Sequence, residues 1–149
     1  PDLDGKPGFH VQQHYGSLAE LWCEVTGQAS AARTVWTMLG EGAEEAAVVE
    51  VVAARDADSS EYFFLETEFN AYGYIFLQQG RVDEALTIFK INAELYPDSW
   101  NAYDSLGEAL LAADKVDEAV KMYEKSLSLN PDNTNGTEVL TRIRKAASM

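Results

Sequence analysis

The fold is decided by ETEFNAYGYIFLQQGRVDEALTIFKINAELYPD (residues 66–98), which is followed after one residue by WNAYDSLGEALLAADKVDEAVKMYEKSLSLNPD (residues 100–132). A shift of 34 residues superimposes the second segment on the first. The shift places Gly73 on Gly107 and Pro97 on Pro131, and it repeats Val-Asp-Glu-Ala at residues 82–85 and 116–119. A fixed period of this length is typical of solenoids of stacked helical hairpins.

Each copy predicts a pair of helices, A and B. Gly80 separates the two helices of the first copy and Asp114 separates those of the second; Asp tolerates left-handed backbone geometry better than most residues. The Pro near the end of each copy ends helix B. The predicted ranges are about Leu65–Gln79 and Val82–Leu95 in the first copy, with Asp98 or Ser99 capping a helix through about Ala113 and then Val116–Leu129 in the second.

Small residues at Gly73 and Ala85, and at Gly107 and Ala119 in the second copy, let the helices of a hairpin approach closely. Aromatic residues then fill the layer between hairpins. The pattern resembles the tetratricopeptide repeat (TPR). Its roles fall on Phe69, Tyr72, Gly73, Phe76, Ala85, Phe89 and Pro97, and in the second copy on Tyr103, Leu106, Gly107, Leu110, Ala119, Tyr123, Ser126 and Pro131. The resemblance implies an all-α fold, a right-handed superhelix of antiparallel helical hairpins (a TPR-like α-solenoid) with a C-terminal capping helix.

The residues before the two repeats predict further helices of the same solenoid. Residues 17–20 form a Ser-x-x-Glu capping box that begins a helix ending near Thr26, with Leu18, Leu21, Trp22 and Val25 as its apolar stripe. Helices over about residues 29–39 and 44–55 form a degenerate hairpin. A shift of 38 aligns Ala47 with Ala85, whereas a shift of 39 aligns Ala46 with it; we prefer 38, which puts Val51 on the aromatic position.

The chain is therefore divided into an irregular lead-in (residues 1–16), N-terminal helices with the degenerate repeat (17–60), two repeats (61–131) and a capping helix (132–149). These parts form one domain, as 149 residues favour. The absence of an initiator Met predicts a processed product or a fragment. Localisation is left open between the cytoplasm and the periplasm.

The charge balance narrows the class of partner. A formal net charge of −14 argues against nucleic acid and anionic membranes, which require a basic footprint. No apolar run is long enough to insert into a membrane. The expected partner is a neutral or basic protein or peptide; self-association, or contact with a fused or neighbouring enzyme module, is the second possibility.

The sequence predicts neither catalysis nor a cofactor. It lacks the Gly-x-Ser-x-Gly and Ser-x-x-Lys motifs of serine hydrolases, a phosphate-binding loop and a dinucleotide fingerprint. His10 and His14 lie four residues apart, but Pro and Gly beside them disfavour a helix, and structural zinc needs four ligands. We expect no metal site, and Asn135-Gly136-Thr137 matches the glycosylation sequon only as a short triplet.

The predicted function is protein–protein interaction, because helical solenoids bind along their concave side. In the TPR family that side is lined by the A helices. Carried over by position, the candidate ligand-binding residues are Thr67, Asn70, Ala71, Tyr74, Leu77 and Gln78 in the first copy and Asn101, Asp104, Ser105, Glu108 and Ala112 in the second. Simple solvation of these helix positions is the competing interpretation.

Chaperone-binding TPR proteins grip a C-terminal carboxylate with Lys, Arg and Asn side chains of this face. Here the face carries Asp104 and Glu108 and no Lys or Arg, so we expect an acidic C-terminal peptide to be repelled. Charge reversal of these two residues is expected to weaken partner capture without changing the melting midpoint.

A second resemblance gives the alternative function. Residues 69–74 and 96–109 are similar to repeat tails that follow the catalytic module of some bacterial β-lactamase-like or esterase-like serine hydrolases. It implies a non-catalytic structural or accessory tail of a larger enzyme. The hydrolase motifs themselves do not occur in this chain.

Overall fold

The computed structural model describes residues 21–148. Its helices follow one another as antiparallel hairpins, and one pair of two-residue strands accompanies them. We label the helical residues 21–26 α1; the other elements are β1 (Ala29–Ser30), α2 (Ala31–Gly40), α3 (Glu44–Asp56), β2 (Tyr62–Phe63), α4 (Glu66–Gln78), α5 (Val82–Leu95), α6 (Trp100–Ala112), α7 (Val116–Leu129) and α8 (Thr134–Ala147).

The two repeats predicted from the sequence are the hairpins α4–α5 and α6–α7. Both B helices have the predicted bounds, and both A helices lie within one or two residues of them. The predicted close approaches are present as well. A Cβ added at Gly73 would lie 2.5 Å from the Phe89 ring, and one added at Gly107 would lie 2.9 Å from the Tyr123 ring. The small residue of helix A therefore makes room for the aromatic residue of helix B.

The A-to-B turns use left-handed backbone at equivalent positions. Gly80 has φ +73° and Asp114 has φ +58°. The next residue of each turn donates its backbone N–H to helix A, from Arg81 to Phe76 O and from Lys115 to Leu110 O, both at 2.9 Å. The prediction that Asp114 substitutes for Gly in this turn is confirmed.

The hairpin α2–α3 precedes the repeats and packs on α4 and α5. Ala47 and Val51 are fully buried, as are Ala85 and Phe89, whereas Ala46 and Glu50 are exposed. This burial pattern agrees with the shift of 38 rather than 39. Val51 is smaller than the aromatic residue that occupies this position in the two repeats.

The start of α2 differs from the prediction by two residues. Ser30 is extended (φ −73°, ψ 118°), and its side chain accepts a hydrogen bond from Arg33 N at 3.0 Å, so the helix begins at Ala31. Residues 29 and 30 instead pair in parallel with Tyr62 and Phe63, a strand pair that no sequence pattern predicted. The segment predicted as an insertion after α3 returns the chain to this pair.

The apolar stripe of α1 is exposed where the structure describes it. Leu21, Trp22 and Val25 have 55%, 51% and 76% of their surface accessible. Trp22 is nevertheless anchored, with its indole N–H donating to Gln28 Oε1 at 3.0 Å and its ring against Phe63. Leu18, His10, His14 and the lead-in lie outside the described residues.

Helix α8 packs on α7 at the C-terminal end, with Val139 and Leu140 buried. Arg144 pairs with Glu124 of α7 at 3.0 Å, and Arg144 and Lys145 lie in its last turn, where cations suit the helix dipole. Among the helices of residues 21–148, none has the length and apolar character needed to cross a membrane.

Candidate functional site

The eleven candidate residues lie on the A helices of the two repeats, α4 and α6; we call their surface the A-helix face. Their exposure is uneven, because some of them are also packed against neighbouring helices. Thr67, Gln78, Glu108 and Ala112 are exposed; Asn70, Ala71, Tyr74, Leu77 and Asn101 are half-buried; Asp104 and Ser105 are buried.

Tyr74 joins the two A helices in the middle of this face. Its hydroxyl donates to Glu108 Oε2 at 2.8 Å and lies 3.3 Å from Ser105 Oγ. Burial raises the pKa of Tyr74, and the negative charge of Glu108 raises it further, while the contact with Ser105 opposes the change. Tyr74 is therefore a neutral phenol at physiological pH that orients the exposed carboxylate of Glu108.

The negative field extends below the surface to Tyr123. Burial is the largest cause that raises the pKa of this buried phenol, followed by the charges of Asp104 and Glu108. Helices α4 and α6 together contain four acidic residues and neither Lys nor Arg. The A-helix face is thus built from helices that supply carboxylates and no compensating cation.

Asp104 has a different role from the one expected. It is only 8% exposed, and both of its oxygens accept hydrogen bonds from the start of α8: Oδ1 from Asn133 Nδ2 at 2.6 Å and Oδ2 from Asn135 Nδ2 at 2.9 Å. Charge reversal here would break these bonds and bury an unpaired cation. The expectation that reversal at Asp104 leaves the melting midpoint unchanged is therefore wrong, and Glu108 is the residue to vary.

Asn133 completes this connection. It caps α8 by accepting from Gly136 N at 3.1 Å, and its amide also donates to Ser126 Oγ of α7 at 3.0 Å. The buried triad Asp104–Asn133–Ser126 thus ties α6, α7 and α8 together. Sequence reasoning missed it, because a 34-residue comparison shows Ser99 and Asn92 in the first copy, where no such triad is recognisable.

In the first copy the equivalent positions hold Asn70, Ser99 and Asn92. Ser99 caps α6 and donates instead to Glu66. Asn92 is fully buried, and neither end of its amide has a hydrogen-bond partner in residues 21–148; the same holds for the buried Oδ1 of Asn70. Asn70 therefore belongs partly to the interior and partly to the A-helix face.

Glu68 is a buried acid that the sequence did not single out. Ser30 donates to its Oε2 at 2.7 Å, while its Oε1 is buried and unpartnered within the described part of the chain. Burial raises the pKa of Glu68, opposed by the Ser30 hydrogen bond and the charge of Arg33. An acid in the first turn of a helix usually indicates an exposed dipole partner, so no sequence signal distinguished this one.

The degenerate hairpin extends the aromatic part of the structure on the other side. Trp36 of α2 stacks on Tyr72 of α4 with ring centroids 5.2 Å apart, and Arg33 Nε lies 3.4 Å from the Tyr72 hydroxyl. Within the described residues, no group of three or more His, Cys, Asp or Glu side chains is placed to hold a metal ion. The arrangement offers a surface of aromatic, amide and carboxylate groups.

Family comparisons match both repeats. A tetratricopeptide repeat profile covers residues 100–133, and a second one covers residues 71–99. The chain is a tetratricopeptide repeat protein. A search of curated proteins finds no significant match.

Solved structures of TPR domains share the fold. The first TPR domain of human RPAP3 superimposes with a TM-score of 0.54 at 22% identity, over 79% of this chain and 90% of that domain. The first TPR of Spaghetti (RPAP3), bound to the HSP90 peptide SRMEEVD, also gives a TM-score of 0.54, at 20% identity, over 80% of this TPR chain and 91% of that domain. At these identities the likeness concerns the fold.

Proposed function

We propose that this TPR protein is a peptide- or protein-binding module whose ligand lies on the A-helix face and is neutral or basic. The observation that carries the proposal is the joined arrangement of Tyr74 and Glu108 on two adjacent A helices that contain no cation. Amide groups at Asn70 and Asn101 can pair with a peptide backbone. The phenol of Tyr74 adds an apolar contact with a polar tip.

The comparison with Spaghetti sharpens the choice of ligand. Its peptide, SRMEEVD, carries three acidic side chains and one Arg. On the A-helix face of this chain such a peptide meets Glu108, and the charges repel. A basic peptide is attracted by the same carboxylate, so the sign of the ligand charge should decide the order of affinities.

The test compares three fluorescent peptides of equal length by anisotropy at low salt: a Lys/Arg-containing peptide, its acetyl-lysine and citrulline counterpart, and SRMEEVD. We expect the basic peptide to bind most tightly and SRMEEVD most weakly. Glu108→Gln should weaken the basic peptide by roughly two- to fivefold, the worth of one exposed ion pair. Because Glu108 is exposed, the thermal midpoint of this variant should stay near that of the wild type.

Glu118→Gln is the matched control, because Glu118 is an exposed acid on a B helix, α7. It removes the same charge from the chain and leaves the A-helix face intact. If both variants weaken the basic peptide equally, net charge rather than this face governs binding. Tighter binding of SRMEEVD than of the basic peptide would contradict the proposed charge preference.

A further inference from the structure

The pair Asn135-Gly136 at the start of α8 is the only Asn-Gly dipeptide in the 149-residue sequence. Both residues are held by specific contacts. Asn135 Nδ2 donates to Asp104 Oδ2 at 2.9 Å, and Gly136 N donates to the capping oxygen of Asn133 at 3.1 Å. The pair thus belongs to the polar connection that fastens α8 to the second repeat.

The structure explains why Gly follows Asn here. A Cβ on Gly136 would lie 2.9 Å from Asn133 Nδ2 and 3.4 Å from Leu127 Cγ, so a side chain would disturb the cap. The consequence is chemical. An Asn followed by Gly is the pair in which the next backbone nitrogen reaches the side-chain carbonyl most freely, because Gly has no side chain to obstruct it.

We propose that Asn135 is a deamidation site whose reaction the docked α8 suppresses and whose product prevents α8 from docking again. The Gly136 nitrogen attacks Asn135 Cγ, a new C–N bond forms, and the side-chain nitrogen leaves as ammonia. One water then opens the succinimide ring to give Asp or isoAsp. The net change is Asn plus water to acid plus ammonia, so no other reactant is needed.

Docking suppresses the first step in two ways. Helical backbone geometry at Asn135 keeps the Gly136 nitrogen away from Cγ, and the Gly136 N–H is already donated to Asn133. Reaction therefore requires the first turn of α8 to open. The rate in the folded protein is the rate of the open chain multiplied by the fraction of time that this turn is open.

The product changes the sign of the contact with Asp104. The amide donor of Asn135 becomes a carboxylate that faces Asp104 Oδ2, and two carboxylates at this separation repel each other. An acid in the first turn gains a little from the helix dipole, but this gain is small beside a lost charge-assisted bond and a new like-charge contact. The modification removes the covering helix from the C-terminal end of the A-helix face.

The chemistry is tested on the full chain by peptide mapping and isoAsp detection during incubation at mildly alkaline pH. The reference is a synthetic peptide of residues 130–141. We expect Asn135 to react about tenfold or more slowly in the folded protein than in the peptide, as local protection predicts. The other five Asn residues serve as internal controls and should stay intact. Equal rates in protein and peptide would overturn the proposed protection.

Leu140→Ala tests the requirement for opening, because Leu140 is a buried contact of α8 away from the reacting atoms. The variant should react faster than the wild type, while the corresponding variant peptide reacts at the unchanged rate. An unchanged rate in a protein with measurably weaker α8 protection from hydrogen exchange would contradict the mechanism.

The effect of the product is tested with Asn135→Asp and its rescue. Asn135→Asp should lower amide protection across α8 at neutral pH, and less so at acidic pH, where one carboxyl takes up a proton. Asp104→Asn in the same chain should restore protection, since the introduced amide can accept from Asn133 and donate to the new acid. Full protection in the single variant, or no recovery in the double variant, would refute the inference.

Discussion

The contact between Gly73 and the Phe89 ring gives a quantitative test of what sets the repeat spacing. In Gly73→Ala the new Cβ would lie 2.5 Å from Phe89 Cε1 and Cζ and 2.8 Å from Cε2. Ordinary carbon contacts are about 3.5–4.0 Å, so the ring must move by about 1 Å. Phe89 is fully buried, and the ring cannot move without disturbing its neighbours.

Two opposing effects determine the expected change in stability. Overpacking of a filled core costs about 1–3 kcal/mol. Replacing Gly by Ala inside a helix gains about 1 kcal/mol. Because the overlap at Gly73 is with the body of a buried ring, we expect a net loss of about 1–2 kcal/mol, or a fall in melting midpoint of about 2–8 °C for a domain of this size.

Two further glycines calibrate this result. Gly40 ends α2 with nothing within 4 Å of an added Cβ, so Gly40→Ala should raise stability by about 0.5–1 kcal/mol. Gly107→Ala meets Tyr123 at 2.9–3.0 Å and should fall between the other two variants. Urea unfolding followed by circular dichroism measures all three. In the double variant Gly73→Ala/Phe89→Leu, the combined loss should be smaller than the sum of the single losses.

The reasoning fails if Gly73→Ala is as stable as Gly40→Ala, because the close approach would then not limit the side chain at this position. It also fails if the two changes in the double variant are additive. Additivity would mean that the new methyl group and the ring do not compete for the same space.

Two other predictions concern buried polar groups. Asn92→Ser, which installs the residue found at Ser126, should raise the free energy of unfolding by about 1 kcal/mol by removing an unpartnered amide, whereas Ser126→Ala should lower it by a similar amount. The raised pKa of Glu68 favours its protonated form in the folded state, so its contribution is complete below pH 4.5, its ordinary pKa, and is lost as pH rises through the higher folded pKa. Glu68→Gln should therefore be more stable than the wild type at pH 8, and the difference should shrink towards pH 4; a difference that grows on acidification, or a less stable Asn92→Ser, would contradict these assignments.

Sequence periodicity predicted the repeat helices well because their determinants are local or recur at a fixed spacing. Small residues at Gly73 and Gly107, aromatic partners 16 residues later, and a turn residue that accepts positive φ recur after 34 residues. A substitution such as Asp114 for Gly is visible because the turn needs one backbone conformation that few residue types adopt.

The polar contacts were not predictable in this way, because each depends on a single partner far along the chain. Ser30 reaches Glu68 across 38 residues, and Asn133 reaches Asp104 across 29. The same residue types at exposed positions would read identically in the sequence. Position on the A-helix face therefore identified Asp104 as a surface acid, although its partners make it an interior one.

The two repeats show which positions determine the backbone and which remain free to specialise. The apolar layer is nearly the same in both, since Phe89 and Tyr123 fill equivalent spaces beside glycine. The polar triads differ: Asp104–Asn133–Ser126 is connected, whereas Asn70–Ser99–Asn92 leaves amide groups unpartnered among the described residues. Connection fixes Asp104 to the capping helix and removes it from ligand contact. Asn70, without such a connection, keeps an amide at the A-helix face, so the first repeat and Glu108 are where ligand specificity should be sought.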